Sequence, residues 1–557
     1  MSYPKELHFA SIWEHVSDIV PENIAVICGK NKKTWKDYES DSAKLASFLN
    51  ERGIKENSKV GLYLHNSNEY LEAQFATFKV MGVPINVNYR YQSEELKYLL
   101  NNSDSEAVFF QGCYADQVKK IAKDLPKIKT WIQVDDQDST DLNFAFKYEE
   151  IINTFEPMPR IKRKEENIYM IYTGGTTGMP KGVMYTHGGF AVSMFGTLKL
   201  QGYKVPDVRD RENISKLKSV ILEMDTNNSL NKCLIACPLM HGTGMFLGGF
   251  LTHILGGTII TVPTLGLDPK ILLQQVELTK ATSMVIVGDA FAKPILSELD
   301  RTKKMNDPYD ISSLKILISS GVIWSAEVKT AMLEHHDMKL FDSMGSSEGG
   351  MGSSITSRGI PAKTAKFKMN SNVIVLSDNG DLVQPGSGIR GMIGTSGLVP
   401  LGYFKDLEKS AITFKEVNGT RYSFPGDYAL IESDGSITLL GRGSNCINSA
   451  GEKIYPEEVE EAIKKNISVY DCLVIGIKDD QFGQKVIAVV SLNINTKITT
   501  ENMIENMIEN TRKYISSYKL PKHIILVDKI QRAPNGKADY KWANMVANEN
   551  IHKVRTK

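Results

Sequence analysis

From Tyr38 to Arg52 the apolar residues recur at helical spacing and stop at Gly53, and a short apolar run, Val60–Leu64, follows. The pair then repeats. Glu69–Met81 is helical up to Gly82 and leads into Val83–Val87, and Glu94–Asn101 leads into Ala107–Phe110. After Lys270 the alternation resumes, with helical patterns at Ile271–Lys280 and Ala290–Leu299 and apolar strands at Ser283–Val287 and Leu314–Ile318. Strands alternating with helices of this length predict parallel α/β layers, whose ligands sit on loops at the carboxyl ends of the strands. From about Gly441 the pattern changes. A charged helix, Glu457–Lys464, opens with Pro456; strands Cys472–Ile477 and Val486–Leu492 and a helix Thr500–Tyr514 follow. The expected fold class is α/β: a large N-terminal domain of layered α/β subdomains (1–443) and a small C-terminal α+β domain (444–557). The division falls where Gly, Ser and Asn cluster at Gly443–Asn445.

Composition narrows the function classes. Across 557 residues, 66 Lys plus Arg nearly balance 65 Asp plus Glu, so the net charge of +1 leaves no electrostatic footprint for nucleic acid or an anionic membrane. An anionic ligand must therefore be held locally. Six cysteines in so long a chain make no disulfide framework, and Cys233 and Cys237 lack two further ligands at metal-binding spacing. The start, Met1-Ser2-Tyr3-Pro4-Lys5-Glu6, has no basic, then apolar, leader, which predicts a cytoplasmic protein. Gly244–Pro263 is uncharged and long enough to span a bilayer, but its five glycines and His253 favour a buried helix followed by a strand, Thr258–Val262. No integral membrane segment is expected. The polar stretch Asp207–Lys232, with charges of both signs, reads as a solvated surface excursion.

The most informative segment is Tyr172-Thr173-Gly174-Gly175-Thr176-Thr177-Gly178-Met179-Pro180-Lys181-Gly182, which follows the apolar run Ile168–Tyr172. It supplies clustered backbone N–H groups, hydroxyls and one ammonium, the donor set that surrounds a polyphosphate. A Walker A loop would need Gly-Lys followed by Ser or Thr opening a helix. Here Pro180 precedes Lys181, Gly182 follows it and a strand comes next, so a phosphate hairpin is predicted.

This segment resembles the phosphate loop of the adenylate-forming superfamily, and further segments follow in that family's order from about residue 30 to 545. Pro238–Gly244 resembles the motif whose His, here His241, borders the carboxylate site. Phe341-Asp342-Ser343-Met344-Gly345-Ser346-Ser347-Glu348 resembles the adenine and magnesium segment. Gly426-Asp427 and Gly441-Arg442 resemble the ribose pair, and Ala533-Pro534-Asn535-Gly536-Lys537 the C-terminal lysine motif. The resemblance implies ATP, Mg²⁺ and coenzyme A as cofactors and substrates. It implies a nucleotide-binding set of Thr173, Gly174, Gly175, Thr176, Thr177, Gly178, Lys181, Gly321, Asp342, Ser343, Met344, Ser347, Asp427 and Arg442. Ser449, Gly451 and Lys453 join that set when the small, mobile C-terminal domain rotates for the second step. Glu348 and Thr173 would hold the metal, and Lys537, His241 and Lys181 would be catalytic.

Two departures stand out. After Arg442 the chain has Gly443-Ser444-Asn445-Cys446-Ile447-Asn448, so a small residue, Ser444, takes the usual charged hinge position, and Asn448 replaces a common lysine. The surroundings of His241 (Leu239, Met240, Gly242, Thr243, Met245, Phe246, Gly248) hold no acid to pair with a substrate ammonium, which argues for an apolar acyl group. Further phrases, Val287–Ala292 and Gly441–Ser444 among them, resemble a bacterial acyl-CoA synthetase branch that takes fatty acids and, in some members, sterol-derived carboxylates. The expected activity is an AMP-forming acyl-CoA synthetase for a medium- or long-chain fatty acid, with only small-molecule partners and room for a homodimer. Two rivals stay open: an acyl-AMP ligase that loads a carrier protein, and a non-catalytic nucleotide- or acyl-binding regulator.

Overall fold

The helix–strand alternation of the N-terminal part builds two parallel sheets. We describe a computed structural model, over residues 6–91, 93–173, 180–449, 452–479, 483–493, 500–515, 517–533 and 536–554. In one sheet the strands Val83–Asn86, Lys59–Tyr63, Ser105–Gln111, Thr130–Val134 and Phe146–Lys147 lie side by side, all parallel. In the other the parallel run is Ile24–Cys28, Thr258–Thr261, Lys232–Ile235, Ser283–Ile286, Ile316–Ser320 and Lys339–Ser346. Antiparallel strands, Asn31–Thr34 and Gly349–Thr356, flank that run. Most residues of these strands are buried on both faces, as in TWIQV (130–134) and TIIT (258–261), because a parallel sheet is covered on both sides. The helices between them start where the sequence offers an oxygen: Thr34 accepts from Asp37 N–H at the head of Trp35–Glu51, and Ser67 from Tyr70 N–H at the head of Asn68–Lys79.

A third, antiparallel sheet is small. Lys181–Thr186 lies between Ile168–Thr173 and the two-residue strand Gly402–Tyr403. All of this belongs to one compact unit, residues 1–175, 179–364 and 396–423.

The second compact unit comprises residues 176–178, 365–395 and 424–557. Within it Lys366–Met369, Ser436–Arg442, Asp427–Ile431, Arg390–Thr395 and Val373–Leu376 form an antiparallel array. Beyond the 3₁₀ turn Gly443–Asn445, the long hairpin Val469–Asp479/Gly483–Leu492 carries the hairpin Ile447–Ser449/Glu452–Ile454 and the parallel strand His523–Val527 on one edge. Helix Pro456–Lys464 packs against Val469–Asp479. The unit thus extends upstream of Gly443–Asn445, gathering strands from before that turn.

Gly244–Pro263 folds as the buried helix and strand expected of it, and no helix among the described residues is long and apolar enough to cross a membrane. The stretch 207–232 departs from the expected excursion. It forms a 3₁₀ turn, Arg211–Lys216, and a helix, Leu217–Thr226, that bury Ile214, Leu217 and Ile221 in the main core. Arg211 clamps Glu165 with two 2.7 Å bonds. Three apolar residues at helical spacing were diluted among charges, which hid the stripe.

Candidate active site

Thr173 and Lys181 are cross-strand partners, so the motif is flanked by two antiparallel strands and a strand, not a helix, follows it. Gly174, Gly175, Thr176, Thr177 and Gly178 themselves lie outside the described residues. The base of the hairpin is braced by Asn86, at the end of its own parallel strand. Its amide accepts from Tyr172 N–H (2.7 Å) and donates to Tyr172 O (2.8 Å) and Met240 O (2.7 Å). One side chain therefore ties the phosphate hairpin to the turn that presents His241. Asn66, just beyond the neighbouring strand, clamps the same turn alone, donating to Cys237 O (3.0 Å) and accepting from Leu239 N–H (2.8 Å).

His241 precedes a helix, Gly242–Gly244, that continues as the π-helical turn Met245–Phe250 and then Leu251–Ile254. Such wide turns are rare and concentrate at functional sites. Leu239, Met240 and Met245 are core residues, while Thr243, Phe246 and Leu247 stay half-buried. Gly321 closes the strand Ile316–Ser320 with φ +91°, and a Cβ there would stand 3.4 Å from Thr243 Oγ1. That contact would be an ordinary one, so it is the left-handed backbone, and not the closeness to the His241 helix, that calls for glycine here.

Asp342 lies in the adjacent strand. Its carboxylate is buried and takes a 2.6 Å bond from Lys329, whose ammonium also donates to Lys363 O. Burial pushes the Asp342 carboxyl above the usual range against the pull of that lysine. Ser343 is half-buried and Met344 buried. Ser347 and Glu348 form the turn between Lys339–Ser346 and Gly349–Thr356, held by Tyr185 Oη on Ser347 O (2.7 Å) and by Glu348 N–H on Ser346 Oγ (3.1 Å).

Glu348 is only 7% exposed, and among the described residues its carboxylate has one side-chain partner: Tyr403 Oη donates to Oε1 at 2.8 Å. A buried carboxylate without a cationic side chain suits a hard divalent ion that draws its remaining ligands from phosphate oxygens. The residues present therefore fit Mg²⁺.

Tyr403 belongs to a strap, Leu401–Asp406, that runs along the strand Lys181–Thr186; Leu401 N–H donates to Met184 O and Phe404 N–H to Gly182 O, both at 2.8 Å. At its end Asp406 Oδ2 meets Lys181 Nζ at 2.5 Å, and Lys181 and Lys409 N–H hold the Asp406 carboxyl below the usual carboxylate range. The strap thus touches both the candidate phosphate lysine and the candidate metal carboxylate. Tyr403 and Asp406 were not among the residues expected from the motifs. The one signal was Asp406 itself, which precedes a short helix, Leu407–Thr413, in the manner of an N-cap.

In the second unit Asp427 and Arg442 face each other across paired strands, with Arg442 Nε 3.4 Å from Asp427 Oδ1. Ser449 is buried and ends its strand opposite Glu452; Gly451 lies outside the described residues, and Lys453 pairs with Asn448 in backbone register. Lys537 is exposed on a tight turn, closed by Lys537 O accepting from Ala533 N–H and by Gly536 at φ +74°. Arg532 fixes that turn, donating to Gly536 O (3.1 Å) while its guanidinium grips Asp471 with two 2.7 Å bonds.

A parallel α/β unit thus bears Lys181 beside Asp406, and a smaller α+β unit bears a braced Lys537. Residues 13–401 match the model of the AMP-binding enzyme family, and residues 458–537 match the AMP-binding enzyme C-terminal domain. The chain belongs to this family, the adenylate-forming superfamily that its motifs resemble. It is 38% identical, over 98% of its length and 97% of the relative's, to a medium/long-chain-fatty-acid–CoA/3-oxocholest-4-en-26-oate–CoA ligase of Mycolicibacterium smegmatis. It is likewise 38% identical to a 3-oxocholest-4-en-26-oate–CoA ligase of Rhodococcus rhodochrous, over 96% of this chain and 95% of that one. Among solved structures, an anthranilate CoA ligase in complex with anthranoyl-AMP matches with a TM-score of 0.83 at 18% identity, covering 98% of this chain and 99% of that one. A benzoate CoA ligase from Burkholderia xenovorans matches with a TM-score of 0.78 at 17% identity, covering 96% and 99%. These structural likenesses establish the fold.

Proposed function

We propose that this enzyme is an ATP-dependent acyl-CoA ligase of the cytoplasm, forming an acyl-adenylate and pyrophosphate from a hydrophobic carboxylic acid and then the CoA thioester and AMP. The observation that carries this reading is that one strap touches both Lys181 and a buried carboxylate, Glu348, which has no cationic side chain beside it among the described residues. The names of the two relatives support CoA as acceptor and favour a medium- or long-chain fatty acid, with a sterol-derived acid as the second choice. The acid-free surroundings of His241 agree with an apolar acyl group.

The chemistry follows from charge. The substrate carboxylate must approach an α-phosphorus ringed by negative oxygens, so cations have to gather where charge accumulates. Lys537 would bridge the attacking carboxylate and the α-phosphate. Lys181, with the hairpin from Thr173 to Gly178, would hold the departing pyrophosphate, and Ser347 would contact the α-phosphate. Glu348 and the Thr173 hydroxyl would hold Mg²⁺, which when bound supplies neutralisation of the phosphate oxygens. Asp427 would accept from the ribose hydroxyls, with Arg442 opposite it. Gly321, Ser343 and Met344 would border adenine; with its carboxylate engaged by Lys329, Asp342 would contribute through its backbone. His241 would border the carboxylate. For the second step residues 444–557 would turn about Ser444, withdrawing Lys537 and bringing the Ser449–Lys453 hairpin forward.

Thioester formation with free coenzyme A tests this reading. Fatty acids of graded length, a sterol side-chain acid and an amino acid are offered with ATP and Mg²⁺, and AMP, pyrophosphate and thioester are measured. We expect all three products with medium or long fatty acids and none with the amino acid. Acyl-adenylate that accumulates without thioester would transfer the reading to the carrier-protein ligase, and no AMP with any acid would overturn it.

A further inference from the structure

The Lys181–Asp406 pair has an asymmetry that bears on how nucleotide enters and leaves. Asp406 is fixed three ways. Its Oδ1 accepts from Lys409 N–H (3.0 Å), its carbonyl accepts from Ser410 Oγ (2.6 Å), and its strap is hydrogen-bonded to the strand that carries Lys181. Lys181, by contrast, meets Asp406 at the end of a flexible four-carbon stem. Its ammonium is partly exposed, with the Tyr403 ring centroid 5.9 Å away. When the pair opens, the lysine is the partner that moves. A single carboxylate offers this ammonium one negative charge in water-accessible surroundings, whereas a di- or triphosphate offers several.

We propose that Asp406 holds, in the nucleotide-free enzyme, the place on Lys181 that the terminal phosphates of ATP take on binding, and that it retakes Lys181 as pyrophosphate leaves. This rests on Lys181 facing the phosphates, as set out above. Asp406 is then a positioning residue that lowers the affinity for both ATP and pyrophosphate and keeps the lysine from trapping the product.

The substitution Asp406→Asn tests this cleanly, because asparagine preserves the helix cap while removing the charge. The full-length enzyme is assayed for KM of ATP, and inorganic pyrophosphate is used as the probe for product inhibition and for direct calorimetric binding. Glu408→Gln, which removes an equal charge two residues away on an exposed side chain, serves as the control. We expect Asp406→Asn to lower both KM for ATP and the inhibition constant of pyrophosphate by roughly two- to fivefold, the worth of a partly exposed ion pair. The control should leave both unchanged, and both variants should keep the wild-type melting temperature. Asp406→Asn raising either constant or leaving them unaltered overturns the exchange, as does an equal effect of Glu408→Gln. Lys181→Met separates the two levels of the argument: if it leaves pyrophosphate binding intact, the phosphate-facing role of Lys181 is what falls.

Discussion

Tyr403 donates its hydroxyl to a carboxylate that has no cationic side chain beside it among the described residues. If Glu348 holds Mg²⁺ as proposed, that bond would orient its carboxylate toward the metal. Replacing Tyr403 with Phe removes the aim and keeps the packing. Bonds to charged groups of this kind are worth about 1.5–3 kcal/mol, so calorimetry should show affinity for ATP with Mg²⁺ falling roughly tenfold. Affinity for metal-free ATP should hold. Equal losses with and without Mg²⁺ would deny Tyr403 this role. Such contacts were beyond reach of the sequence. Motifs such as Thr173–Lys181 or Phe341–Glu348 can be read because their residues are contiguous, whereas Asp406 lies 225 positions from Lys181 and meets it only through strand pairing.

The helix Phe9–Ile19 starts on two imidazoles. His8 Nδ1 accepts from Ala10 N–H (3.2 Å) and His187 Nδ1 from Phe9 N–H (3.3 Å), with the rings stacked at 3.9 Å and fully buried. Accepting at Nδ1 requires both rings to be neutral, and burial pushes both pKa values down, that of His187 to about 3. The unfolded chain takes up these protons below about pH 6.5 while the folded one does not, so stability falls as pH drops. From pH 5.5 to 4.5 His187 alone should cost about 1 kcal/mol, and His8 should add to the loss in the same direction. Denaturant midpoints at the two pH values check this against His8→Asn, which keeps a capping oxygen and should make the fall with pH shallower. An unchanged pH slope in that variant would contradict it. Most elements could be read within a few residues from periodicity and caps, as Asn68–Lys79 and Ser283–Ile286 illustrate. The π-helical turn Met245–Phe250 could not, since its apolar and glycine residues also suit an ordinary buried helix.

At the scale of the whole molecule the change of pattern near Gly441 was legible, because a charged helix and short strands replace long βα units. That strands from 365–395 and 427–442 would group with the C-terminal residues was not, since their pairings cross the turn at Gly443–Asn445. The chemistry proposed here divides along the chain, with His241, Lys181 and Glu348 in the first unit and Lys537 in the second. ATP–pyrophosphate exchange with a medium- or long-chain fatty acid, run without coenzyme A, tests this most directly in the wild type and in Lys537→Ala. We predict exchange that depends on the acid but not on coenzyme A. In Lys537→Ala it should fall roughly 100-fold or more, the scale for losing one group that stabilises transition-state charge. Thioester formation from supplied acyl-adenylate should survive in that variant. Exchange that requires coenzyme A, or that persists in Lys537→Ala, would contradict the account.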